Sequence, residues 1–180
     1  RKDLLVSESR VALAAQTERN ESKILNLSVP KSYSLYVSIP FCPSRCRYCS
    51  FVSHSIEKAK KLMPEYVEKL CQELWETSRI VNDLARAFDL RDLREYTIEA
   101  GRPDTLNREK FRIMKQAGVT RISINPQTLN DQVLQAIGRR HTAQETIDSF
   151  HMARQEGMDN INMDLIAGLP TDTLESFQRT

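Results

Sequence analysis

No run of about 18 apolar residues occurs in this chain, so nothing in it is built to cross a bilayer as a helix. No leader of charged, then apolar, then small residues opens it, so secretion finds no support. The 26 basic and 24 acidic residues leave a formal charge of +2, too small to argue for nucleic acid or an acidic membrane surface. Four cysteines in 180 residues are too few for a disulfide framework. Glycine is scarce as well: five residues, no two of them adjacent. What remains is the profile of a globular domain, 40% hydrophobic and 28% charged, long enough to enclose a real core.

The cysteines are few but crowded. Three of the four fall in "IPFCPSRCRYCSF" at Cys42, Cys46 and Cys49, a Cys-x3-Cys-x2-Cys spacing in a segment rich in proline and arginine. Thiolates are soft ligands suited to iron–sulfur clusters, zinc or copper. A structural zinc and an electron-transfer cluster each want four protein ligands, whereas three thiolates on a four-iron cluster leave one iron open to bind something else. The alternatives are a zinc knuckle completed by His54, or three unligated thiols. Cys71 lies on an apolar helical stripe and reads as a small core residue, and His54 reads as a loop residue. A clustered-thiol site points to a reducing, cytoplasmic compartment.

Along the chain, residues 1–30 read as an N-terminal helical extension and residues 31–180 as the core domain. "SYSLYVSIPF" has the composition of a strand. From Pro64 to about Phe88 apolar residues recur every three or four positions, as Met63, Tyr66, Val67, Leu70, Cys71, Leu74 and Trp75. "EYTIEAG", "TRISINPQ" and "NINMDLIAGLP" read as further strands. Between and after them, "NREKFRIMKQAG", "NDQVLQAIG" and "TAQETIDSFHMARQEG" read as helices with caps and glycine stops. Strand and helix in alternation imply right-handed βαβ units, a parallel sheet and an α/β fold, better suited to an open or closed barrel than to a helical bundle.

The loop, with an aromatic residue before its third cysteine, resembles the radical S-adenosylmethionine superfamily. "EAGRPDT", "RISINPQT", "AIGRRHT" and "NINMDLIAGLP" narrow the resemblance to the oxygen-independent coproporphyrinogen III oxidase family, in its anaerobic coproporphyrinogen dehydrogenase branch. The resemblance implies a partial (β/α)6 barrel. It implies a [4Fe–4S] cluster on Cys42, Cys46 and Cys49, and S-adenosyl-L-methionine held by Tyr36, Tyr48, Glu99, Gln127, Arg139 and Asp164. It also implies reductive cleavage of that cofactor to a 5′-deoxyadenosyl radical and decarboxylation of coproporphyrinogen III propionates to vinyl groups. An electron donor protein such as flavodoxin or ferredoxin would supply the reducing electron. A haem-binding chaperone of the same family is the alternative.

Taken alone, Arg139 is as well explained as a solvated helix-end charge, and Arg140 and His141 as exposed loop. Asp164, in an apolar strand, needs a partner if it faces inward. Glu99 and Gln127 alone are ordinary polar residues at strand ends.

The sequence departs from the family in one respect. Members carry a second strand ending in a glycine-rich stretch, and here no such stretch exists. A single helix over residues 64–88, at about 1.5 Å per residue, is far longer than a crossover needs. A join of two helices near Thr77, with the second strand missing around residues 76–81, is therefore expected. The opening at Arg1 and the close inside "TDTLESFQRT" suggest a fragment of a longer protein.

Overall fold

In the computed structural model, residues 6–26, 34–51, 53–80 and 93–180 are described, with side chains in the α3 helix as far as Glu76. The chain divides into two units: Arg1–Ser38 with Glu76–Phe88, and Ile39–Trp75 with Asp89–Thr180. The first unit contains α1, Glu8–Leu25, whose start is set by the Ser7 hydroxyl accepting from the Arg10 amide. None of its residues is buried, in keeping with the thin scatter of apolar positions. A helix is expected within the first 30 residues, and α1 lies there.

The second unit begins with a two-residue parallel ladder, β1 (Phe41–Cys42) against β2 (His54–Ser55). Residues 34–40 belong to no ladder, although their side chains favour strand. A strand exists through its neighbours' hydrogen bonds, and composition alone does not supply them. His54 sits on β2, with its ring 6.3 Å from that of Phe41.

After α2 (Ile56–Ala59) and a 3-10 turn comes α3, Met63–Ile80. It runs unbroken through Glu76 to Ile80, so no break marks the expected join, and Val81 lies outside the described residues. Met63, Tyr66, Leu70 and Leu74 are half-buried along one row, while Val67, Cys71 and Trp75, one position further on, are exposed. One position is about 100° of rotation on a helix, enough to turn the Cys71 thiol from the covered row to solvent. Cys71 is therefore not a core residue.

The main sheet is parallel, ordered β3 (Thr97–Gly101), β4 (Arg121–Ile124), β5 (Ile161–Asn162). The connecting helices begin where sequence chemistry says they should. The Asn107 side chain accepts from the Lys110 amide to start α4, Arg108–Gln116, and Asn130 caps α5, Asp131–Ala136, in the same way. Thr142 and Glu145 close a reciprocal capping box on α6, Ala143–Gln155. The short α7, Leu174–Arg179, follows β5.

One face of the sheet packs on α4 and α6 through Phe111, Val119, Ile122, Ile124, Ala153 and Met158. A second cluster, Val133, Leu134, Ile137 and Leu169, sits beneath α5. Because side chains alternate along a strand, the residues between the inward isoleucines point to the other face. Register places Glu99 beside Ser123 and Ser123 beside Asn162, a polar row across all three strands. This α/β arrangement of parallel strands is a partial barrel, and its polar face and strand ends carry the candidate site.

Candidate active site

Parallel strands bring all their C-terminal ends to one edge, where sites on such sheets are built. Beyond β1 that edge carries the cysteine loop, beyond β3 Arg102 and Asp104, beyond β4 Asn125 to Thr128, and beyond β5 Asp164.

The cysteine loop is fastened from several directions. The Arg47 amide donates to the Ile137 carbonyl at 3.1 Å, and the Cys49 amide to the Cys46 carbonyl at 3.1 Å. Gly138, with φ of +80°, supplies the left-handed backbone that follows α5 beside the loop; a Cβ there would make only ordinary contact, 3.8 Å from the Arg45 carbonyl oxygen. Cys46 is buried and Cys42 and Cys49 are half-buried, all as free thiols. Among the described residues no three Cys, His, Asp or Glu side chains are gathered tightly enough to grip a metal ion. The helix-packed loop nonetheless offers three soft donors on about two turns' length of chain, a donor set whose chemistry fits an iron–sulfur cluster.

Arg139 is buried, so its reading as a solvated charge is set aside. Its Nε and Nη2 donate to the Tyr48 hydroxyl at 3.1 and 2.7 Å, joining the end of α5 to the cysteine loop across 91 residues of sequence. Its Nη1 is buried with no partner in the protein. A buried guanidinium with one free arm is shaped to take a carboxylate. Burial pushes the Tyr48 hydroxyl above its ordinary pKa despite the opposing Arg139 contact and charge, so it stays protonated.

On the polar face, Asn125 donates to Glu99 at 3.3 Å and Asn162 to Asp164 at 2.7 Å. Asp164 is exposed, so the cost of a lone buried carboxylate does not arise for it. Gln127 is buried and has φ of +71°, a left-handed backbone unusual outside glycine. It is held there because its amide donates to the Asp164 carbonyl at 3.0 Å and its carbonyl accepts from the Ile166 amide at 2.9 Å. Glu99, Gln127 and Asp164 are thus tied to one edge, and Tyr48 and Arg139 to each other. Tyr36 belongs to the first unit and is 79% exposed.

Three residues escaped the sequence reading. Arg102, 6% exposed, makes a bidentate pair with Asp104 (Nε to Oδ1 3.0 Å, Nη2 to Oδ2 2.8 Å) and donates from Nη1 to the Ser44 hydroxyl at 2.5 Å. The only local signal was two opposite charges flanking Pro103 at a strand end. His141 is 2% exposed, not loop surface, and neither ring nitrogen makes a hydrogen bond of good geometry; Arg140 is exposed as expected.

Burial, reinforced by Arg139, holds His141 below its usual pKa, with Asp104 opposing, Arg102 adding to the fall and the Pro126 carbonyl opposing. Burial acts to raise Asp104, but the Arg102 hydrogen bonds and charge outweigh it and hold the carboxyl below its usual range. Both shifts have the same sign for stability. Below about pH 6.5 the unfolded histidine binds a proton that the folded one refuses, so stability falls with pH until the folded value is passed. Below about pH 4 the Asp104 contribution is lost as well. Thermal melts from pH 7.5 to 5 are expected to show that first decline, and His141→Gln to flatten it; an equal decline in the variant would refute the assignment to His141.

The comparisons agree with this geometry. The sequence pattern of the "Radical SAM superfamily" matches residues 36–180. The "Oxygen-independent coproporphyrinogen-III oxidase-like protein HemZ" of Bacillus subtilis is 34% identical over 212 residues, taking in 100% of this chain and 42% of the relative. The "Heme chaperone HemW" of the same organism is 34% identical over 175 residues, 82% of this chain and 45% of the relative. The chain therefore spans less than half the length of these curated relatives. In fold it is similar to the Escherichia coli coproporphyrinogen III oxidase HemN, described as a Radical SAM enzyme. The TM-score is 0.65 at 23% identity, over 79% of this chain and 38% of that one. With cysteine loop, parallel sheet and sequence pattern in agreement, the chain belongs to the Radical SAM superfamily.

Proposed function

We propose that the protein is a radical S-adenosylmethionine enzyme that oxidatively decarboxylates two propionates of coproporphyrinogen III to vinyl groups, giving protoporphyrinogen IX. The observation that carries the cofactor half of this reading is the buried Arg139 fork with its unpartnered Nη1. Cys42, Cys46 and Cys49 would hold the [4Fe–4S] cluster, and Tyr36, Tyr48, Glu99, Gln127, Arg139 and Asp164 the adenosylmethionine. Together these groups supply one-electron chemistry strong enough to take hydrogen from an unactivated carbon.

The protein's own part is placement. Arg139 clamps a carboxylate, with Tyr48 fixing the plane of the fork. Glu99 and Asp164 accept from hydroxyls or an amino group, each oriented by an asparagine amide. The substrate half rests on kinship: the oxidase-like relative aligns along the whole of this chain. Flavodoxin or ferredoxin suits the electron supply, and the cytoplasm suits free thiols. No helix among the described residues is long and apolar enough to cross a membrane.

The same reading includes the missing strand expected around residues 76–81, although α3 is continuous as far as Ile80. The alignment to the oxidase-like relative is 212 residues long against 180 in this chain, so the relative carries residues that have no counterpart here. The β1–β2 ladder and the β3–β4–β5 sheet are separate among the described residues, which is where an inserted strand would join them.

A second reading has support of its own in the 34% identity to a haem chaperone. Anaerobic incubation of the whole protein with coproporphyrinogen III, adenosylmethionine and reductant separates the two. Vinyl-bearing product supports the oxidase; stable haem binding without that product overturns it in favour of the chaperone.

A further inference from the structure

Arg102 is the most completely used buried cation outside the cofactor residues. Its three guanidinium nitrogens are all engaged, two on Asp104 and one on Ser44. Ser44 lies between Cys42 and Cys46, and the contact spans 58 residues of sequence. Arg102 itself follows the last residue of β3, so the sheet's edge delivers it to the underside of the cysteine loop. A cation fixed this way has a consequence for whatever the loop holds, because a charge beside a partly buried site acts through a low effective dielectric.

We propose that the Arg102–Asp104 pair is a positioning device for the cysteine loop, seating it through Ser44 and setting the reduction potential of the cluster that the loop binds. The geometry makes the two charges unequal partners. Arg102 reaches the loop directly through the Ser44 hydroxyl, whereas the Asp104 carboxylate is bound to Arg102. Reducing a cluster adds a negative charge, so a nearby cation favours the reduced form and a nearby anion disfavours it.

Two substitutions should therefore move the potential in opposite directions. Arg102→Gln leaves Asp104 unopposed and shifts it to more negative values. Asp104→Asn leaves Arg102 unopposed and shifts it to more positive values. Arg102→Lys keeps the charge without the fork, and falls between Arg102→Gln and the parent.

The measurement is a redox titration of the anaerobically reconstituted whole protein, followed by the electron paramagnetic resonance of the reduced cluster. Shifts of opposite sign support the proposal. A merely structural link would loosen the loop in both variants and shift them alike, and coincident or same-sign shifts overturn it. Should Arg102→Gln fail to take up iron, Asp104→Asn decides alone: a positive shift supports the device, and no shift or a negative one overturns it. The inference rests on the cluster reading above. A parent that takes up no iron brings down both, whereas a loaded parent with unmoved variants brings down this one only.

Discussion

Changing any one of Cys42, Cys46 or Cys49 to alanine is expected to abolish iron uptake and, with it, reductive cleavage of adenosylmethionine. Three donors already leave one iron without a protein ligand, so two cannot hold the cluster against the loss of a thiolate. Removing even an outer partner of a metal ligand costs about 10–100-fold in affinity or activity, and a direct ligand costs more. The control lies on the same chain. Cys71 is an exposed thiol on α3, and Cys71→Ala should leave iron content and visible absorbance at parental values. Iron per chain after anaerobic reconstitution measures both. Undiminished iron in the three loop variants would refute the assignment. One zinc and no iron in the parent, lost in His54→Ala, would establish the zinc knuckle instead.

The second large effect is expected at Arg139. Truncating one partner of a buried, hydrogen-bonded charge pair costs about 2–5 kcal/mol, so Arg139→Met should weaken adenosylmethionine binding by roughly thirtyfold or more. Arg139→Lys should not restore it, because an ammonium cannot engage Tyr48 and a carboxylate with one planar fork.

Stability should behave differently from affinity. Without cofactor, the buried Nη1 is an unsatisfied donor, and such a group costs about 1–3 kcal/mol. The Tyr48 hydroxyl, on a residue 39% exposed, exchanges its lost contacts for water. The ligand-free Arg139→Met protein should therefore melt no lower than the parent while its cofactor affinity collapses. Calorimetric titration beside thermal melts reads the two quantities separately. A parallel loss of both would show that Arg139 serves the fold and not the cofactor.

These experiments also mark how far the sequence could be read. Asn107, Asn130 and Thr142 act within three residues of themselves, and each starts its helix where its side chain says it should. The alternation of strands and helices implied parallel order, and the β3–β4–β5 sheet has it. The strand anticipated at residues 160–170 forms a ladder only over Ile161–Asn162, with one bridge from Gln127 to Leu165 beyond it. Composition marks where a strand is possible, while its neighbour determines how far it is paired.

By itself, the sequence determined the quantities that depend on short spacing: three thiols in one loop, the helix starts, the glycine stops and the α/β alternation. Tertiary structure alone decided which charges meet. Arg102 finds Ser44 across 58 residues and Arg139 finds Tyr48 across 91, while His141 becomes buried, Asp164 exposed and Cys71 turned to solvent. The physical reason is range. Propensity and capping act over one helical turn, whereas burial and charge pairing depend on segments that only the folded sheet brings to the same edge.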